Sequence, residues 1–334
     1  MVILTNFEGF PSPWSARNGL SGESRFVRSP FEVLKSGVSD ADSLALINCD
    51  PRFTYELAAS CLIRRRKIPI VAVDLVLRRP KSIRSWLFQP VRRVLLNRVD
   101  YFVHYFKDVS GYREIFGIDE NRSSFVPFKA NLLPFVSGES TSEGTYVTCL
   151  GRTLRDFDTF FNAIETLPYP GAISRPDFKA MEEHGSRFTR SMRDLPENVR
   201  VLDDDGSNEA VANILRASKI VVLPILKESM AASGSSICLN AMLFKRCVIG
   251  TEGPGFSDVF QHGEVVCVPP EDPTALARAI QEIWLDDDKR KRIALAGYQY
   301  ALNAGDSQAL FQRVLDRVGN WYCTAYRPHG KRCN

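Results

Sequence analysis

The chain has 334 residues, of which 44% are hydrophobic and 25% are charged, and this length is sufficient for two medium-sized domains. Its formal net charge of +4 is mild, which argues against a dedicated nucleic-acid-binding protein. The eight cysteines form no CxxC pair and most lie in apolar runs, which favours reduced thiols over disulfides or a zinc site. The sequence shows no signal-peptide pattern and no apolar run of about 20 residues, so we expect a cytoplasmic protein.

Short apolar strands alternate with helical segments through the first part of the chain. Strands are predicted at 2–7, 43–50, 68–75, 100–106 and 123–128, and helices at 54–67, 85–99 and 110–118. This alternation predicts parallel strands joined by helical crossovers. A stretch rich in Ser, Gly and Thr at 129–145 interrupts the pattern and is interpreted as a linker between domains.

The same alternation begins again after the linker. Strands are predicted at 145–151, 171–174, 199–203, 219–224, 246–251 and 265–269, with helices at 157–167, 207–217, 236–244 and 273–284. We therefore expect an α/β protein of two doubly wound, Rossmann-like domains that face each other across a cleft, the N-terminal one being reduced. In such sheets ligands bind beyond the carboxyl ends of the strands, often on helix N-termini.

The run Ser-Gly-Ser-Ser at 233–236 leads directly into one of these predicted helices. Backbone N–H groups and the positive end of the helix dipole would face whatever lies above this junction, and a diphosphate fits there. Gly234 allows close approach of the backbone, and the hydroxyls of Ser233, Ser235 and Ser236 can add hydrogen bonds. The alternative is that Ser233 or Ser235 is an ordinary helix N-cap.

Three motifs, in this order along the chain, resemble those of retaining nucleotide-sugar glycosyltransferases of the two-domain GT-B architecture. They are CLGRTLRDFDTFFNA at 149–163, VVLPILKESMAASGSSICLNAMLFKRCVIGT at 221–251 and VVCVPPEDPTALARAI at 265–280. They resemble the C-terminal donor domain of that family, known as glycosyl transferases group 1, and cover about the last half of the chain. The first half matches in its strand-and-helix rhythm and in the closing run FGIDENRSSFVPF at 116–128.

The resemblance implies an enzyme that moves a hexose from a nucleotide diphosphate sugar to an acceptor hydroxyl with retention, without a metal or a cofactor. Arg152, after Gly151, occupies the family's arginine position, and Arg155 stands where the family usually has lysine. Both are implied to stabilise the diphosphate as it leaves. The alternative for Arg155 is a salt-bridged surface turn with Asp156.

Two positions depart from the family's pattern of two glutamates separated by seven residues, since Ala232 stands at the first position and Asn240 at the second. Asn240 replaces the glutamate that holds the ribose hydroxyls in the family, although an amide can still accept from a diol more weakly. Glu228 is the nearest upstream acid, and it either reaches the sugar or is an exposed loop residue. These departures keep two alternatives open: a non-catalytic glycosyltransferase-like protein that binds a partner, and a sugar-nucleotide epimerase.

The candidate residues of the first domain are fewer. Asp50 and Asp74 follow predicted strands, where they could contact an acceptor or cap the next turn. His104 resembles in placement a histidine that some family members set near the sugar, and the alternative is a packed histidine on a strand. The histidines show no metal-ligand spacing, so no metal site is predicted. The acceptor, whether glycan, lipid-linked or small molecule, stays undefined.

The segment 78–98 combines basic and large apolar residues in a helical pattern that Pro90 interrupts. Such a helix can lie on anionic lipid headgroups, which would place the protein peripherally on the inner face of the membrane. We favour the alternative, a crossover helix whose apolar side packs on the sheet.

Domain boundaries follow from these patterns and from the resemblance. We expect an acceptor domain at 1–136, a nucleotide-sugar donor domain at 137–306, and a helix at 307–322 that crosses back to the first domain as in the family. Residues 323–334 are interpreted as a flexible basic tail.

Overall fold

The computed structural model describes residues 1–136 and 143–326, which divide into two compact units. The first unit joins Met1–Pro127 to the C-terminal segment that begins at Gln308, and the second is Phe128–Ser307. The residues 128–136 therefore belong to the second unit. Residues 137–142 of the predicted linker and 327–334 of the predicted tail lie outside the described residues.

The first unit is built on a seven-stranded sheet. Its strands are β1 (Val2–Thr5), β2 (Trp14–Ser15), β3 (Ser21–Phe26), β4 (Ser43–Asn48), β5 (Ile70–Val73), β6 (Tyr101–His104) and β7 (Ser123–Phe125), in the order β2-β3-β1-β4-β5-β6-β7. All neighbouring pairs are parallel except β2 with β3. The sequence did not predict β2 and β3, because β2 is very short and β3 is polar and largely exposed.

The helices of this sheet include a break near Pro90, the residue that interrupts the helical pattern in the sequence. They are α1 (Pro30–Leu34), α2 (Pro51–Ile63), α3 (Ile83–Leu87), α4 (Gln89–Asn97) and α5 (Ser110–Phe116). The single helix expected at 85–99 is two helices, because Pro90 lies in the first turn of α4, where proline needs no hydrogen-bond donor. Ser82 and Ser85 form a capping box at the start of α3.

The second unit has a six-stranded, wholly parallel sheet. Its strands are β8 (Tyr146–Cys149), β9 (Gly171–Ser174), β10 (Val199–Leu202), β11 (Ser218–Leu223), β12 (Cys247–Thr251) and β13 (Val266–Val268), in the order β10-β9-β8-β11-β12-β13. The chain runs outward from β8 to β10 and then returns beside β8 as β11. The loops after β8 and β11 therefore diverge at a topological switch point, where ligands of such sheets bind.

Helices cover both faces of this second sheet. They are α6 (Phe157–Ile164), α7 (Phe178–Glu183), α8 (Asn208–Ala217), α9 (Ser235–Leu243), α10 (Pro273–Leu285) and α11 (Asp287–Ala304). Side chains of β11 alternate between two apolar clusters: Val221 and Leu223 pack with α8 and α9, whereas Ile220 and Val222 pack with α6 and α10. Two sheets of largely parallel strands joined by helical crossovers confirm the predicted α/β fold class.

The last long helix, α12 (Ser307–Trp321), packs on the first unit. The ring of Phe311 meets Phe7 edge-on at 4.9 Å between centroids, and Trp321 stacks on Tyr101 at 4.9 Å. Gln312 Nε2 also donates to the carbonyl oxygen of Ser15. These contacts explain why the chain from Gln308 onward belongs to the first unit.

Within residues 1–136 and 143–326, no helix has both the length and the apolarity needed to cross a membrane. The same residues contain no group of three His, Cys, Asp or Glu side chains arranged to hold a metal ion. Six cysteines are free thiols, whereas Cys323 is disulfide-bonded, which differs from the thiol that the sequence led us to expect.

Candidate functional site

The loops that follow β8 and β11 are joined into one framework. Asp156 N donates to Pro224 O over 2.9 Å, and Leu226 N donates to Leu154 O over 2.9 Å. The first loop is also held from its other side, since Arg155 N donates to Ser186 Oγ over 2.9 Å. The backbone around Arg155 is therefore fixed by three independent hydrogen bonds.

The side chain of Arg155 is buried with 1% of its surface exposed. Its Nε donates to Leu150 O over 2.9 Å, and its Nη1 has no hydrogen-bond partner. It forms no ion pair with any of the described residues. Burial lowers the pKa of this guanidinium to about 10, so it stays cationic at neutral pH. An unpaired buried cation is costly, and it marks a place where an anion can bind.

Arg155 is not part of a salt-bridged surface turn. The neighbouring Asp156 is also buried, and it caps α6 by accepting hydrogen bonds from Thr159. The ion-pair partner of Asp156 is Arg187, at 3.6 Å. The alternative interpretation of the Arg155–Asp156 pair therefore does not hold.

Two glycines lie against the Arg155 guanidinium. A Cβ added to Gly151 would lie 2.5 Å from Arg155 Nη2, and one added to Gly234 would lie 2.9 Å from the same atom. Both glycines also have left-handed backbones, with φ of +105° and +89°. The guanidinium is therefore packed directly against two backbone segments that only glycine can form.

The N-terminus of α9 meets this cation. Gly234 is the N-cap residue, and no side chain caps the helix, which excludes the interpretation of Ser233 or Ser235 as the N-cap. Within the described part of the chain, the backbone N–H groups of Ser235, Ser236 and Ile237 have no acceptor. Arg155 and the positive end of α9 thus direct positive charge to one spot at the switch point.

Asn131 is a residue of this region that the sequence analysis missed. Its Nδ2 donates to Ser236 Oγ over 2.7 Å. Asn240 Oδ1 accepts from Asn131 N at 2.9 Å and from Leu132 N at 3.1 Å. A carbonyl oxygen has two lone pairs, so this oxygen of Asn240 is fully used in holding the chain. No motif in the sequence KANLLP around Asn131 indicated this contact.

The other predicted serines and Glu228 have local partners. Ser233 is buried, and its Oγ lies 3.3 Å from Ser229 Oγ. Glu228 is half-buried and acts electrostatically on Arg187. Glu228 is therefore neither an exposed loop residue nor an isolated charge.

A cavity of about 230 Å³ lies beside Arg152, at the carboxyl ends of β9 and β10. Arg152 is half-exposed, and its Nη1 lies 4.0 Å from Asp177 Oδ2. Asp204 and Asp205 also line the cavity, as does Ile237 from the first turn of α9. The cavity therefore adjoins the spot that faces Arg155 and the helix end.

The structure places the three first-unit candidates at the carboxyl ends of strands. Asp50 caps α2, since its Oδ1 accepts from Phe53 N over 2.9 Å. Asp74 follows β5 with a φ of +49°, and its Oδ1 is buried without a hydrogen-bond partner. Burial raises the pKa of Asp74 to about 7.

His104, at the end of β6, is completely buried. Its ring lies 4.8 Å from Phe106 and 5.4 Å from Tyr112, and neither ring nitrogen has a hydrogen-bond partner. Burial lowers its pKa to about 4. These contacts are those of a histidine packed among aromatic rings, and a sugar contact by His104 stays a prediction.

Residues 189–300 match the family model of glycosyl transferases group 1. The match includes the loop after β11 and all of α9, so it covers half of the framework around Arg155. This part of the chain is therefore similar to glycosyl transferases group 1. No curated protein sequence matches the chain.

Solved structures of glycosyltransferases share its fold. HepE of Anabaena, crystallised with UDP-glucose, has a TM-score of 0.64 at 13% identity, with 96% of this chain and 99% of that chain covered. A glycosyltransferase from Rickettsia africae has a TM-score of 0.63 at 12% identity over 89% and 84% of the two chains. Sucrose-phosphate synthase from Thermosynechococcus elongatus has a TM-score of 0.60 at 15% identity over 88% and 77%. The chain therefore has the GT-B fold.

Proposed function

We propose that this chain is a glycosyltransferase that transfers a hexose from a nucleotide diphosphate sugar to an acceptor hydroxyl, with retention at the anomeric carbon and without a metal or a resident cofactor. The observation that carries the proposal is the buried guanidinium of Arg155, which has no counter-ion among the described residues and lies against Gly151 and Gly234. A diphosphate is the anion that this reaction brings to such a cation.

In the proposed complex, the diphosphate lies over the N-terminus of α9. The backbone N–H groups of Ser235, Ser236 and Ile237 donate to its oxygens, and Arg155 supplies a full positive charge beneath them. When the bond between the anomeric carbon and the diphosphate oxygen breaks, negative charge develops on the diphosphate. Donors that are already in place stabilise that charge more than they stabilise the bound substrate, and so they lower the barrier.

The cavity beside Arg152 is the proposed site of the nucleoside. Arg152 stands between this cavity and the phosphate position, and its half-exposed guanidinium can bind a phosphate oxygen. Asn240 uses its oxygen for the backbone of Asn131 and Leu132, so the ribose hydroxyls need other acceptors. The carboxylates of Asp204 and Asp205 line the cavity and provide them. Hydrogen bonds from Ser207 lower the pKa of Asp205, which keeps that carboxylate ionised.

The base and the sugar are left to experiment, and UDP-glucose is the first donor to test because HepE was crystallised with it. Retention is proposed from the motifs at 149–163 and 221–251, which resemble those of retaining enzymes. The anomeric configuration of the first product, determined by NMR, tests this part of the proposal.

A thermal-shift screen against UDP, GDP, ADP, TDP and their sugars tests the donor site. A ligand that binds the native state stabilises it by about 2.7 kcal/mol at a hundredfold excess over its Kd, so one nucleotide should raise the Tm by several degrees. Arg155→Met should abolish that shift, and Arg152→Ala should reduce it.

The matched control is Arg290→Met, which removes another buried arginine that pairs with Glu143 and Asp287. This variant will lower the Tm of the free protein but should keep the full nucleotide shift. If the nucleotide raises the Tm of Arg155→Met and of Arg290→Met equally, Arg155 does not bind the diphosphate.

A further inference from the structure

The crossover from β5 to β6 carries an unusual concentration of positive charge. Residues 78–98 include seven basic residues and no acidic residue. The crossover consists of two short helices, α3 and α4, rather than one long helix that could bury a continuous stripe. It begins beyond the carboxyl end of β5, the side of a parallel sheet where ligands bind.

The large apolar side chains of this crossover face solvent. Their exposed fractions run from 51% to 82%, and they are Ile83, Trp86, Leu87, Phe88, Val91 and Val94. In α4 only Gln89 and Leu96 are buried, and α3 has no buried residue. The favoured interpretation from the sequence, a helix whose apolar side packs on the sheet, is therefore wrong for most of these residues. Six adjacent exposed apolar side chains form a patch that monomeric proteins normally cover.

The cations around the patch are partly unpaired. The guanidinium groups of Arg79, Arg84 and Arg92 form no hydrogen bond or ion pair with the described part of the chain. Arg93, in contrast, donates to the carbonyl oxygens of Glu114 and Ile115, and Arg98 pairs with Asp100. Three unpaired arginines thus border the exposed apolar surface, and they favour a partner that is negatively charged and apolar together.

We propose that this surface, the residues 79–94 of the α3–α4 crossover, docks on an anionic lipid bilayer. The apolar side chains enter the boundary between headgroups and acyl chains, with the indole of Trp86 at the interface, while the arginines bind lipid phosphates. Both helices would lie in the plane of the membrane surface, because neither is long enough to cross a bilayer. The proposal depends on the exposed patch of the first unit and not on the donor site, so either can fail without the other.

Flotation of the full chain with lipid vesicles tests the proposal. Binding is expected to vesicles of phosphatidylcholine with 30% phosphatidylglycerol, and to be at least tenfold weaker to phosphatidylcholine alone. Each basic residue near an anionic surface contributes about fivefold to the partition coefficient. The partition coefficient of the triple variant R79Q/R84Q/R92Q should therefore be about a hundredfold lower. Salt should weaken vesicle binding of the unaltered protein, because exposed charges are screened.

Two further variants separate the apolar contribution from that of charge. Leu87→Ser with Phe88→Ser should weaken vesicle binding at least tenfold without changing the Tm, because both side chains are exposed. Leu285→Ser and Arg278→Gln are matched controls, since Leu285 is 70% exposed against 74% for Leu87 and Arg278 is exposed in the second unit. Neither control should change vesicle binding.

The proposal is overturned by any of three results. The first is that the protein does not float with vesicles of either composition at low salt, and the second is that the control variants lose as much binding as the patch variants. The third is that the chain self-associates and the L87S/F88S variant becomes monomeric, which would show that a second copy of the chain covers the patch.

Discussion

Buried ionisable groups occur in both units, and burial disfavours the charged form of each, but the consequence for their charge at neutral pH differs. In the second unit Arg155 keeps its charge, because its pKa falls only to about 10. In the first unit burial raises the pKa of Asp74 to about 7 and lowers the pKa of His104 to about 4. Both groups can therefore take their neutral forms. A buried acid or histidine can become neutral near physiological pH, whereas a guanidinium cannot.

Because of this difference, the two kinds of buried group are unequal evidence for a bound ligand. A neutral His104 among aromatic rings is stable without any partner, so its burial gives no information about a substrate. The charge of Arg155 is unpaired in the described structure, and an anion is the partner that would compensate it. The second unit therefore supports a binding site more strongly than the first, and four experiments can break or sharpen this comparison.

The largest expected effect is that of Arg155→Met on transfer. If the guanidinium stabilises the leaving diphosphate, kcat/KM should fall by about 10²–10³, as on removal of one donor from an oxyanion hole. Steady-state kinetics with the donor found in the screen measures this. Arg290→Met should leave kcat/KM within about threefold of the unaltered enzyme. Equal losses in the two variants would show that Arg155 acts only through stability.

Asp74→Asn should change the pH dependence of stability. The folded pKa of about 7 lies above the unfolded value of 3.8, so between them the unfolded state binds fewer protons and the protein loses stability as pH rises. Asparagine stays neutral, so the variant should gain on the order of 2–4 kcal/mol relative to the unaltered protein between pH 4 and pH 8. Urea unfolding across this range measures the free energy of unfolding of the variant and of the unaltered protein. If the two free energies change in parallel with pH, the ionisation of Asp74 does not destabilise the protein.

Asn240→Ala should destabilise the second unit without weakening nucleotide binding. It leaves the backbone N–H groups of Asn131 and Leu132 without their acceptor, which costs about 1–3 kcal/mol. Asn240→Asp keeps an acceptor oxygen there and should lose less. Both variants should keep the nucleotide-induced thermal shift, and loss of that shift would restore the ribose contact expected from the sequence.

The smallest effect is expected for Ser236→Ala, which removes the acceptor of Asn131 Nδ2 and should cost about 0.5–1.5 kcal/mol. The matched control is Ser235→Ala, because no hydrogen bond of the Ser235 side chain is present in the described structure. Urea unfolding of the two variants gives the difference. Equal stability would mean that the Asn131–Ser236 hydrogen bond contributes nothing measurable.

Much of the fold was predictable from the sequence because strands buried on both faces are continuous apolar runs. The predicted strand at 171–174 coincides with β9, and the strands predicted around β8, β11 and β12 differ from the observed bounds by one or two residues. Polar elements gave no such signal, so β3 and α11 were missed. The Pro90 break was noted, but the sequence could not show that the apolar side chains around it face solvent.

The sequence by itself determined the residues of the candidate donor site: Gly151, Arg152 and Arg155 after one strand, and Ser233 to Ser236 before a helix. These motifs are local, because a glycine at a turn and an uncapped helix end depend on neighbours along the chain. Only the tertiary structure decided what each side chain touches. It buried Arg155 against Gly234 and used the oxygen of Asn240 to hold Asn131 and Leu132. Such contacts join residues that are 79 to 109 positions apart along the chain, and side-chain burial depends on packing that no local pattern encodes.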